Sequence, residues 1–250
     1  MKKLPISLFA AAAVLSMGTA SATIVTFGFN PVPANNTDLS PTLASNAAAD
    51  GNGWTVSNGA TPNIALTWAP TGGSEAANNP DSNILEIHAG AGFQHANYTA
   101  IGAVVPVLQF DMDVEANRNG VAPADPTVRF DVTGGFALRL NSLQLINAND
   151  QPTSEAAYAW TVTLTQISTN QVVATQTTAP MAATNTAILN FDFTGLPNES
   201  YLLRFDDGGA NRVRTALDNL SFNQVVIPEA SSLSLLGLAA LGLMRRARKS

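Results

Sequence analysis

Hydrophobic and polar residues alternate most cleanly in the middle of the chain. Over Leu108–Glu115 the side chains of Leu108, Phe110, Met112 and Val114 fall on one face, and those of Gln109, Asp111, Asp113 and Glu115 on the other. A period of two is the mark of a strand with one buried and one wet face. Similar stretches recur at 128–132, 136–146, 159–167, 171–177, 187–193 and 201–205. Upstream, Thr23–Phe29, Gly53–Ser57, Ile64–Ala69 and Asn83–His88 read as further strands, and Thr215–Phe222 as the last. No stretch between the chain's two ends repeats apolar residues at helical spacing.

The intervals carry turn chemistry. Pro31, Pro33 and Pro41 keep residues 30–53 out of regular structure, and a Gly/Asn/Pro loop covers 71–81. Ser168-Thr169-Asn170 predicts a hairpin turn between Gln166 and Val173. About eleven short strands joined by such loops predict an all-β domain over residues 23–224, an antiparallel two-sheet sandwich of jelly-roll-like form. The run Phe205–Phe222 (F-D-D-G-G-A-N-R-V-R-T-A-L-D-N-L-S-F) resembles the last hairpin of jelly-roll domains. No internal repeat points to a propeller or solenoid.

Both ends depart from this pattern. Lys2 and Lys3 precede an apolar stretch from Leu4 to Met17, and Ala20-Ser21-Ala22 supplies a small-residue cleavage site. Residues 1–22 therefore read as a signal peptide cut after Ala22, which commits the rest of the chain to Sec-type export. At the other end, residues 225–250 place Ile227-Pro228-Glu229-Ala230 before a short serine-rich spacer. An uncharged Leu/Ala/Gly run, Leu233–Met244, and a basic cluster of Arg245, Arg246, Arg248 and Lys249 follow. The apolar run suits a transmembrane helix, and the basic cluster resists being drawn through the bilayer, so the tail predicts a stop-transfer anchor. From Pro228 to Met244 a helix reaches about 25 Å, short of a hydrocarbon core of about 30 Å.

Charge narrows the partners. The two ends hold six of the 12 Lys+Arg and one of the 18 Asp+Glu, leaving six arginines against 17 acids, a net charge of −11. Such a surface repels phosphate backbones, so nucleic acid is not expected as a partner. The chain has no cysteine, which excludes disulfides, thiolate metal sites and a cysteine nucleophile.

Motif, short apolar run and basic cluster together resemble the PEP-CTERM sorting signal of Gram-negative bacteria, with Ala230 standing where the motif has its second proline. The resemblance covers about a tenth of the chain and implies recognition by an exosortase, a membrane-embedded cysteine transpeptidase or protease that removes the tail. It also implies a location at the cell surface or in the extracellular matrix, transient anchoring in the inner membrane, and association with exopolysaccharide. The alternative for the tail alone is an uncleaved anchor.

The search for catalytic chemistry is mostly negative. His88 and His95 flank A-G-A-G-F-Q with no third histidine or cysteine to complete a zinc site. No G-x-S-x-G elbow is present, and no spacing singles out a carboxylate pair for glycoside hydrolysis. Asp111, Asp113 and Glu115 share a strand face with about 7 Å between neighbours, too wide to chelate one ion, and read as solvated surface. Asp206, Asp207 and Asp218, beside a Gly-rich turn, resemble the structural calcium sites of jelly-roll carbohydrate modules. Trp54, Trp68, Trp160 and Tyr98 suit sugar stacking if exposed and core packing if not. The reading is a non-enzymatic exported protein without a resident cofactor, calcium aside. The alternatives are a carbohydrate-binding jelly-roll module and, behind it, a secreted glycoside hydrolase.

Overall fold

A computed structural model describes residues 23–26, 37–38, 42, 55–56, 60–69, 84–88, 107–112, 125–147, 157–182, 185–206, 208 and 213–227. These contain thirteen strands and no helix. All the strand pairings are antiparallel and divide into two sheets. In the smaller sheet the order is β10 (Gln171–Thr177), β9 (Thr161–Gln166), β12 (Tyr201–Asp206), β7 (Thr127–Val132) and β4 (Ile64–Ala69). In the larger sheet β11 (Thr186–Thr194) pairs with β8 (Phe136–Asn147), and β8 with β13 (Val213–Val226). The far edge of β13 is shared. Its first part pairs with β6 (Val107–Met112), which continues through β5 (Ile84–His88) to β2 (Thr37–Asp38). Its later part pairs with β1 (Thr23–Thr26), which continues to β3 (Thr55–Val56).

The buried positions follow the alternation. On β4, Ile64, Leu66 and Trp68 point inward; on β7, Val128, Phe130 and Val132; on β9, Val162 and Leu164. They meet Leu138, Leu140, Leu143, Leu145, Leu217, Leu220 and Phe222 of the larger sheet in one core. The Phe130 and Phe222 rings, one from each sheet, pack edge to face with centroids 5.4 Å apart. Each fully buried side chain of this kind contributes about 1.5–3 kcal/mol of transfer free energy, so the two sheets are held face to face mainly by this layer. The hairpin expected at Ser168-Thr169-Asn170 is present between β9 and β10, with Asn170 at φ 54° supplying the left-handed turn residue.

Three features differ from the sequence reading. Residues 205–222 are not a hairpin, because β12 lies in the smaller sheet and β13 in the larger; the segment crosses from one layer to the other. The proline-bearing loop 30–53 contains a two-residue strand, Thr37–Asp38, paired with Ile87 and Glu86, too short to leave an alternation signal. The last strand begins at Val213 beside β6 and continues past residue 224 to Val226, since β8 offers it a partner from Thr215 to its end.

The middle of the larger sheet is bulged. On β13 the inward side chains shift from the odd position Leu217 to the even positions Leu220 and Phe222. The register against β8 slips between Asp218 and Phe222, with Asn219 at φ 50°. On β11 the slip falls between Asn190 and Phe193, with Asp192 at φ 45°. An inserted residue re-aims the following side chains and bends the strand, which lets one long strand keep its apolar side chains on the core along both halves.

Candidate functional site

The strongest sequence signal lies where the domain ends. Strand β13 is paired to its last residues: Gln224 stands opposite Leu138, Val225 opposite Ala137 and Val226 opposite Phe136. Side chains reinforce the ladder. The Gln224 Oε1 accepts hydrogen bonds from Asn63 N at 3.0 Å and Nδ2 at 3.4 Å, and Asn141 Nδ2 donates to Asn223 Oδ1 at 2.6 Å. Ile227 is half-buried and follows the strand. Pro228, Glu229 and Ala230, the basic cluster, and Ala20 and Ala22 of the expected signal-cleavage site lie outside the described residues.

The same end of the domain carries a tightly bonded corner. Gly134 and Gly135, at φ 69° and 78°, turn the chain from β7 into β8 between the sheets. A Cβ on Gly134 would stand 3.0 Å from Asn63 Oδ1. Gly135 N donates to Asn198 Oδ1 at 2.7 Å, and Asn198 N to Phe136 O at 2.8 Å. Leu196 N donates to the Tyr201 hydroxyl at 2.8 Å, and a Cβ on Gly195 would lie 2.5 Å from that oxygen. A tyrosine at the start of a strand bonded back to the preceding corner is a known brace of Greek-key sandwiches. Burial raises the Tyr201 phenol above its usual range despite the Leu196 bond. Next to it, Glu199 is held below the ordinary glutamate range, chiefly by the Ser168 hydroxyl donating at 2.8 Å.

The remaining candidates are dispersed. Asp206 sits on β12, accepting from Gly208 N at 2.8 Å, with Arg204 3.6 Å away. Asp218 is buried on β13 in the other sheet, where its carboxylate accepts from Asn219 N at 2.7 Å and the Asn219 amide reaches Gln144 Oε1 at 2.8 Å. There it bonds the backbone of the bulge at Asn219. The break in alternation at L-D-N-L is the signal that could have found it. Asp207 lies outside the described residues, and among those described no three His, Cys, Asp or Glu cluster as metal ligands. Asp111 and His88 are backbone partners in β6 and β5, while Asp113, Glu115, His95, Trp54 and Tyr98 lie outside the described residues. Trp68 and Trp160 are core residues with 1% and 0% exposure, which removes both from any sugar-stacking surface. Sequence reading overlooked the polar junction inside the core, where Trp160 Nε1 donates to Thr215 Oγ1 at 3.1 Å and the Tyr158 hydroxyl meets the same oxygen at 2.8 Å.

Residues 226–249 match the family model of the PEP-CTERM protein-sorting motif. The chain carries a PEP-CTERM sorting tail. The match starts at Val226, the last residue of β13, so the tail follows the folded ladder without a spacer domain. No curated protein matches the chain. Among solved structures, arabinose-bound MgGH51 α-L-arabinofuranosidase aligns over 56% of this chain and 22% of its own length, at 16% identity and a TM-score of 0.32. The chain thus spans about a fifth of that structure, and a likeness this slight carries no argument about fold or activity.

Proposed function

We propose that this is a non-enzymatic surface or matrix protein, exported through an N-terminal signal peptide, held briefly in the inner membrane by its tail, and released or transferred by an exosortase. The observation that carries the reading is the sorting motif at 226–249 joined directly to a β-sandwich. The domain is the cargo and the tail its address. Exopolysaccharide is the proposed surrounding of the mature protein, in keeping with the surface role that such tails imply.

We read the sandwich as a jelly roll. Supporting this, strands β6 to β13 are ordered 6-13-8-11 in one sheet and 7-12-9-10 in the other, and all their chain connections except the β9–β10 hairpin cross between sheets. That is the interleaving produced by folding a long hairpin over on itself. The burial of Trp68 and Trp160 favours a structural module over a binder that uses those rings.

Intact mass of the protein recovered from its producing cells tests the reading. A mature chain beginning near Thr23 and ending near Glu229 is the expected result. A chain still ending at Ser250 would make the tail a plain anchor.

A further inference from the structure

We propose that removal of the tail requires the last four residues of β13 to unpair from β8, so that the processing enzyme cuts a chain with a released strand end and the fully zipped domain resists it. The inference rests on the reading of the tail as an exosortase substrate and concerns what controls that step.

Three observations carry it. First, the distance is short: the ladder runs to Val226, and Ile227 alone separates it from Pro228. At about 3.3–3.6 Å per residue the Pro-Glu pair begins within about 7 Å of a paired backbone. Strand β8 lies about 4.8 Å to one side, and the bonded Gly134–Gly135 turn stands at the same end.

Second, the backbone is occupied. An enzyme that reads an extended segment does so by pairing with its main chain on both sides of the point of attack. With the cut near Glu229, the residues on the N-terminal side run back through Pro228 and Ile227 into Val226, Val225 and Gln224, which stand against Phe136, Ala137 and Leu138. While it is zipped, the edge of the strand that faces β8 is closed to a second partner.

Third, the strand has a built-in stopping point. Phe222 is fully buried in the core, whereas Asn223, Gln224 and Val225 are half-buried and Val226 is 60% exposed. Peeling from the end therefore sacrifices little apolar burial until it reaches Phe222, the position of the register slip. Releasing four residues lengthens the free segment by about 13 Å, while the first half of β13 stays paired with β6 and β8.

The absence of native cysteines permits a clean test. Val225 and Ala137 are directly opposed across the ladder, and opposed positions of an antiparallel pair fall within the Cα separation a disulfide accepts. The full chain would be expressed in its processing host as wild type, as A137C alone, as A137C/V225C, and as A137C/V225C with six Gly/Ser residues inserted between Ile227 and Pro228. Intact mass over time gives the cleavage rate. We expect wild type and A137C to be cleaved alike, the locked chain at least tenfold more slowly, and dithiothreitol to restore it. The insertion restores cleavage with the disulfide intact, because the added reach replaces the released strand. A locked chain cut at the wild-type rate, or an insertion that fails to rescue it, overturns the proposal. A wild type that keeps Ser250 overturns instead the processing reading beneath it.

Discussion

At the residue scale, the polar atoms buried in the core decide more than their number suggests. Thr215 is fully buried, and its hydroxyl serves both the Trp160 indole and the Tyr158 phenol. Replacing it with valine keeps the shape but withdraws that acceptor from a buried N–H, which costs about 1–3 kcal/mol. We expect Thr215→Val to lower the urea midpoint accordingly, while Thr215→Ser, which keeps the oxygen, stays close to wild type. Equal losses in the two variants would show that the methyl group, not the hydroxyl, matters. The alternation of T-A-L-D-N-L-S-F in the sequence marks Thr215 as a neighbour of core positions, yet gives no hint of its partners. Trp160 and Tyr158 lie more than fifty positions away and arrive only through the pairing of sheets.

At the element scale, the corner between β11 and β12 sets how the chain passes from the larger sheet to the smaller. Gly195 is needed there for space rather than for an unusual φ, since any Cβ would press on the Tyr201 ring end. Tyr201 cannot swing away, being itself buried and packed edge to face on Phe193 at 5.2 Å. Gly195→Ala is therefore an overpacking change, expected to destabilise by about 1–3 kcal/mol in equilibrium unfolding. A substitution that proved neutral would mean the corner yields and that the Leu196–Tyr201 bond is not a rigid brace. Strands such as β4, β7 and β9 were readable because each has one buried face. The bulges were readable only in part: the break at Asp218-Asn219 interrupts the alternation visibly, whereas the one at Asp192 is masked by Phe191 and Phe193, which flank it symmetrically.

At the scale of the whole molecule, 17 acids against six arginines outside the two ends give a net charge of −11, which favours solubility and repels other anions. The described ion pairs, Arg129–Asp131 and Arg204 with Asp125 and Asp206, lie on exposed arginines and contribute little to stability. The fold instead rests on the shared core, and the address on the tail. Antibody raised against the sandwich is expected to label intact cells or the matrix around them. Finding the protein in the cytoplasm would remove the export reading, whatever the tail's fate.

The sequence by itself determined the sorting tail and the all-β class of the fold. The sorting tail at 226–249 is a linear code, read by membranes and enzymes from consecutive residues, and period-two alternation is a local property of a strand. The tertiary structure decided which strands are neighbours, because antiparallel pairing brings together residues as distant as Thr23 and Phe222 that no local pattern links. It decided that β12 and β13 part company between the sheets, and that Trp68 and Trp160 belong to the core. It also decided that the final strand runs up to the first residue of the sorting motif. That last fact follows from the length of β8 rather than from the residues of β13 alone, since a ladder extends only as far as its partner does.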